Sequence, residues 1–189
     1  MATPERVRLF VALELPSRVR SALAEWRATA VGSRDDLRLV APASLHVTLA
    51  FLGSRPADEL DAITAALASS VDGLPGARLR VAGVKPVPPR RPRLFAFDLE
   101  DREGGAAAVQ AALSDALASG GHYRPEKRPF WPHVTFARVR RGVKRVEPIS
   151  LPPPELDFTA RRVTLYRSHL SPRGARYEAL ERRSLAPRS

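Results

Sequence analysis

Apolar and polar positions along this chain follow two periods. Leu45-His46-Val47-Thr48-Leu49 alternates residue by residue, the signature of a strand with one buried face, and Arg8-Leu9-Phe10-Val11-Ala12-Leu13 is a short apolar run of strand length. Between these segments Val19, Leu23, Trp26 and Ala30 recur at three and four residues behind Ser17, a candidate N-cap, and predict a helix. Val109, Leu113, Ala116 and Leu117 predict a second helix, bounded by Gly104-Gly105 and Gly120-Gly121. A third is expected near residues 57–70, with Leu60, Ile63 and Leu67 on one face, and strands near 77–84 and 156–167.

The pattern is doubled. Arg8-Leu9-Phe10-Val11-Ala12-Leu13-Glu14-Leu15 aligns with Arg93-Leu94-Phe95-Ala96-Phe97-Asp98-Leu99-Glu100 at an offset of 85, and Leu45–Phe51 aligns with Pro132–Arg138 at an offset of 87. Each half therefore reads strand, helix, strand. The proline-rich run from Lys85 to Pro92 is excluded from a central strand or a helix and serves as the connector, and Pro152-Pro153-Pro154 marks another loop. At 189 residues, one domain spanning 1–189 is expected, made of two facing lobes, approximately 1–84 and 93–189.

Composition narrows the chemistry. With no cysteine, thiolate nucleophiles, disulfides and Cys-ligated metals are excluded. The longest run free of charged residues, Leu39 to Ser54, contains Pro42, His46 and Gly53 and falls short of the roughly 18 apolar residues of a membrane span. Leu9–Leu13 is too short for the core of a secretory signal, so a cytoplasmic protein off the membrane is expected. The net charge of +11 is uneven: residues 121–189 hold 16 basic against 6 acidic residues, and residues 1–120 hold 15 against 14. Of the 31 basic residues 28 are Arg, whose planar fork suits phosphate, so a polyanionic partner and a merely solvated surface are both compatible with the composition.

Strand parity makes two triplets stand out. His46 and Thr48 share one face of their strand, with Leu45, Val47, Leu49 and Phe51 on the other as expected core. His133 and Thr135 share a face in the same way, with Val134 and Phe136 turned inward. Facing lobes would bring both triplets to one groove. One imidazole can then act as general base and the other as general acid, and the threonine hydroxyls can donate to the nonbridging oxygens of a phosphodiester. Such chemistry needs no cofactor and no metal, and the competing zinc site lacks a third ligand nearby in the sequence. Residue types leave open which histidine is the acid.

The paired triplets resemble the hallmark of the 2H phosphoesterase superfamily. More narrowly, the segments 8–13, 45–53, 128–138 and Leu165-Tyr166-Arg167-Ser168 resemble the RNA 2',3'-cyclic phosphodiesterase family, first described as 2'-5' RNA ligases, and the likeness runs from Arg8 to Leu180. The resemblance implies an α+β, bilobal fold of two pseudo-symmetric halves, with antiparallel sheets lining a central cleft and helices outside. It also implies hydrolysis of a terminal RNA 2',3'-cyclic phosphate to a 2'-phosphomonoester, and reversible ATP-independent 2'-5' joining. By resemblance His46 is the proton donor to the departing O3' and His133 the proton acceptor from water, with Thr48 and Thr135 beside them. RNA with cyclic or 2'-5' linked ends is the implied partner, and a monomer is expected.

Two further residues are candidates for substrate binding. Arg138 extends the second motif and can hold phosphate or stack on a base, but simple alternation puts it on the face of Val134 and Phe136, so a bulge is required. Phe10 lies opposite Leu9, Val11 and Leu13, where stacking on a base and second-layer packing are equal readings. Tyr166, Trp131 and Phe130 are weaker stacking candidates, and His122 and His169 read as exposed loop residues. The rival functions are a 2H activity on a small cyclic nucleotide such as ADP-ribose cyclic phosphate, and an RNA-binding module with an inert cleft.

Overall fold

The computed structural model describes residues 5–32, 34–171 and 174–187. Its elements are β1 (Arg6–Glu14), α1 (Ser17–Val31), β2 (Leu37–Leu39), β3 (His46–Pro56), α2 (Leu60–Val71), β4 (Ala77–Val87), β5 (Leu94–Glu100), α3 (Gly105–Ser119), β6 (His133–Val139), β7 (Asp157–Ala160), β8 (Arg162–Ser171) and β9 (Gly174–Ser184). The strands form two antiparallel sheets, one ordered β3-β1-β8-β9 and the other β2-β6-β5-β4-β7. This is the α+β fold that the resemblance implies, with the matched strands of each half paired to each other. The two triplet strands, β3 and β6, lie against one another where the sheets meet.

Burial follows the periodicities closely. Val19 and Leu23 of α1, Ile63 and Leu67 of α2, and Val109, Leu113 and Leu117 of α3 are buried, each at helical spacing. Helix α1 belongs to the first half in sequence, yet its Trp26 packs edge-on against Phe97 and Phe136 of the second sheet, at 5.0 and 5.6 Å between ring centroids. Helices α2 and α3 pack on each other, α2 against β8 and β9 and α3 against β3 and β4. The apolar cluster thus runs continuously through both sheets.

Four expectations are corrected. Ser17 is the first helical residue instead of the cap: Pro16 holds the cap position with ψ 145° and no side chain bonds the free helix amides. Lys85, Pro86 and Val87, expected in the connector, continue β4 and pair with Ala96, Phe95 and Leu94. Strand β7 pairs with β4 only from Ala77 to Arg80, so beyond that point β4 is an edge where the missing amide of Pro86 breaks no ladder. The region 156–167 splits into β7 and β8, with β8 running on to Ser171. The doubling is also shifted: the ladders set Glu14 opposite His46 and Asp98 opposite His133, an offset of 84 between first strands where the sequence match gives 85. A one-residue slip in a strand exchanges its faces, so this correction decides which residues correspond.

Candidate active site

His46 opens β3 and His133 opens β6, and the backbone orients both rings in the same way. The Nδ1–H of His46 donates to the carbonyl of Ser44 at 2.7 Å, and the Nδ1–H of His133 donates to the carbonyl of Trp131 at 2.8 Å. A carbonyl only accepts, so in the neutral ring Nδ1 carries the proton and Nε2 is the basic nitrogen. The Thr48 hydroxyl donates to His46 Nε2 at 3.1 Å. Thr135 is half-buried and its hydroxyl makes no hydrogen bond among the described residues.

Directly after each triplet the ladder slips by one residue. Ala12 pairs with Thr48 but Val11 with Ala50, leaving Leu49 extra; Ala96 pairs with Thr135 but Phe95 with Ala137, leaving Phe136 extra. These equivalent bulges reverse the alternation. Phe51, expected in the core, pairs with Phe10 on the histidine face and is 57% exposed. Arg138 reaches the same face of the other sheet and is exposed, through the bulge its candidacy required. The repeat thus carries His-x-Thr followed three residues later by an exposed side chain, aromatic in one half and cationic in the other.

Electrostatics join the two sheets at this point. Burial pulls His46 down from 6.5 to about 4; the bond to Ser44 opposes this, and the charges of His133 and Arg138 across the sheet boundary depress it further. Beside it, Phe10 is only 3% exposed, with its ring centroid 5.0 Å from that of His46, 5.1 Å from stacked Tyr166 and 4.8 Å from edge-on Tyr177. Phe10 therefore lies on the predicted face but as the floor of an aromatic cluster.

Two carboxylates absent from the candidates above lie opposite the histidines in the ladders. Glu14, opposite His46, accepts hydrogen bonds from Thr164 (2.7 Å), Arg182 (2.9 Å) and Tyr166 (3.1 Å). Burial works to raise its pKa, but these donors outweigh it and hold the carboxyl below its ordinary value. Burial and the Glu14 charge push Tyr166 up to about 12, so it remains a donor. Asp98, opposite His133, accepts from Trp131 Nε1 at 2.6 Å and pairs with Lys85 at 2.6 Å. The Trp131 ring stacks on His133 at 4.2 Å and 15°. Glu14 and Asp98 become equivalent acidic residues of the matched strands only at an offset of 84.

The remaining candidates fall elsewhere. Tyr166 and Trp131 are spent on these contacts, and Phe130 packs against the core. His122 is not an exposed loop residue: its side chain is 13% exposed and Nδ1–H donates to Glu59 at 2.8 Å. His169 lies in β8 and pairs with Glu178 of β9 at 2.7 Å. Among the described residues no group of three or more His, Asp or Glu side chains converges to hold a metal ion, and no helix is long and apolar enough to cross a membrane.

Known proteins resemble this chain over nearly its whole length. Residues 15–172 match the family model of the 2'-5' RNA ligase superfamily. A Thermus thermophilus protein named RNA 2',3'-cyclic phosphodiesterase is 36% identical over 186 residues, covering 95% of this chain and 90% of the relative. An Escherichia coli protein of the same name is 30% identical, covering 98% and 99%. In fold, a crystal structure of a Thermus thermophilus protein matches with a TM-score of 0.79 at 33% identity, covering 96% of this chain and all of that one. Escherichia coli LigT complexed with 3'-AMP matches at 0.77 and 30% identity, covering 96% and 99%.

Proposed function

The chain belongs to the 2'-5' RNA ligase superfamily, and on that premise we propose that it hydrolyses the terminal 2',3'-cyclic phosphate of RNA to a 2'-phosphomonoester. One observation carries the reading: two histidines on touching strands, each with Nδ1 tied to the carbonyl two residues earlier, which makes Nε2 the basic nitrogen of both rings. The relatives' name, RNA 2',3'-cyclic phosphodiesterase, and the nucleotide and phosphate complexes of LigT support the substrate class.

In this reading His133 Nε2 takes a proton from water as its oxygen bonds to phosphorus, and His46 Nε2 gives a proton to O3' as the P–O3' bond breaks. The phosphate stays on O2'. Thr48 and Thr135 donate to the nonbridging oxygens, where charge grows as the phosphorus becomes five-coordinate, and Arg138 holds the same phosphate by its guanidinium fork. Phe51 offers its exposed ring to the terminal base, backed by Phe10. Proton transfer and hydrogen bonding supply the stabilisation, so the step uses neither cofactor nor metal.

Burial keeps His46 neutral, and a bound phosphate anion favours its protonated form. The anion adds a nearby negative charge and neutralises Arg138, reversing part of the depression that Arg138 and His133 exert. If a 5'-hydroxyl takes the place of water, one P–O bond again forms as one breaks, and RNA ends are joined through a 2'-5' bond without ATP. Both triplets lie in one chain, so a single domain is complete as a monomer; its two lobes are the two sheets, each built from strands of both sequence halves, approximately 1–84 and 93–189. A cytoplasmic location follows from the substrate in this reading.

The test is incubation of EDTA-treated protein with an oligoribonucleotide ending in a 2',3'-cyclic phosphate. Formation of a 2'-phosphate end is expected; an intact cyclic end, or a 3'-phosphate, contradicts the proposal.

A further inference from the structure

Strand β2 adds one residue to the site that the triplets do not foretell. Arg38 is the register partner of Arg138 in the β2–β6 ladder, so the two side chains stand on the same face of neighbouring strands, in line with Thr135 and His133. Both are exposed, and neither makes a hydrogen bond or ion pair among the described residues. Like charges directly opposite in a ladder are unfavourable. Most other cations in strands of this protein are neutralised: Arg55 pairs with Glu59, Lys85 with Asp98, Arg167 with Glu5, Arg183 with Glu181, and Arg162 and Arg182 with Glu14.

The direction of Arg38 adds a second observation. One guanidinium nitrogen stands 3.7 Å from where a Cβ on Gly174 would lie, at the start of β9 in the other sheet. Arg38 thus extends from the second sheet to the start of β9 in the first, beside a residue whose φ of +129° is open to glycine. Two unpartnered forks one strand apart suit two anionic groups, or one chain carrying consecutive phosphates.

We propose that Arg38 binds the phosphodiester immediately 5' of the terminal nucleotide while Arg138 holds the reacting phosphate, so that the pair makes the enzyme prefer an RNA chain to a mononucleotide. The proposal rests on the cyclic phosphodiesterase reading above and assigns that site its second phosphate. Recognition of this kind is blind to base sequence, because only backbone charge is read.

The experiment compares kcat/KM on a 2',3'-cyclic mononucleotide with kcat/KM on a dinucleotide that has the same cyclic end and one internal phosphodiester. Wild-type protein should favour the dinucleotide about tenfold or more, the scale of one charge-assisted phosphate contact. In Arg38→Ala that ratio should collapse toward one, Arg38→Lys should retain part of it, and the salt slope on the dinucleotide should fall by about one. The proposal is overturned if wild type treats both substrates alike, or if Arg38→Ala keeps the wild-type ratio. Absence of wild-type turnover on either substrate instead defeats the reading of the reaction itself.

Discussion

His46 sits at the point where burial and function pull in opposite directions. Its pKa of about 4 means that the folded protein keeps the ring neutral where the unfolded chain, near 6.5, takes up a proton. Because the unfolded state binds more protons in that window, stability contributed by neutral His46 is full above pH 6.5 and falls as pH drops toward 4. The difference amounts to at most ~3 kcal/mol. Urea unfolding of wild type and His46→Gln at about pH 7 and about pH 4.5 measures it: the wild type should lose more stability on acidification, and equal losses contradict the burial argument. His133 is held differently, by the Trp131 ring anchored to Asp98. Trp131→Ala should lower kcat by about tenfold or more through a loosened ring, with Trp131→Phe intermediate because it keeps the stack. Equal kcat in all three proteins would show that the stack does not orient the base.

The bulges after Thr48 and Thr135 explain what was legible in the sequence and what was not. Triplets and helices were readable because two periods of burial govern them, and the first strands because their sequences repeat. The exposed face of Phe51 was not, because alternation runs unbroken only where the ladder does, and the extra residue Leu49 is buried like any core leucine. Arg138 was readable only as a conditional. Strand β2 has three residues, too few for any period, so Arg38 gave no signal until its partner strand was known. With its ring 57% exposed, Phe51→Ala should leave thermal stability near wild type while raising KM for a cyclic mononucleotide by about fivefold or more, the scale of one base–aromatic contact. An unchanged KM would remove the base-stacking role.

Across the whole molecule, the exchange of α1 onto the second sheet locks the relative position of the triplets. Trp26 packs on Phe97 and on Phe136, the residue next to Thr135, and its indole nitrogen donates to the Pro152 carbonyl at 2.6 Å. Trp26→Ala should destabilise the protein by about 3 kcal/mol in a single unfolding transition, seen in denaturant titration; two separate transitions would show lobes that fold independently. Such locking matters because acid and base must address one phosphorus atom from two sheets. The measurement that bears on this most directly is single-turnover hydrolysis of a cyclic-ended oligoribonucleotide by wild type, His46→Ala, His133→Ala and the double variant. Each single change should lower the rate by about 10² to 10⁴, and the double change by much less than the product of the two, because the pair acts in one step. Turnover close to wild type in either single variant contradicts the account.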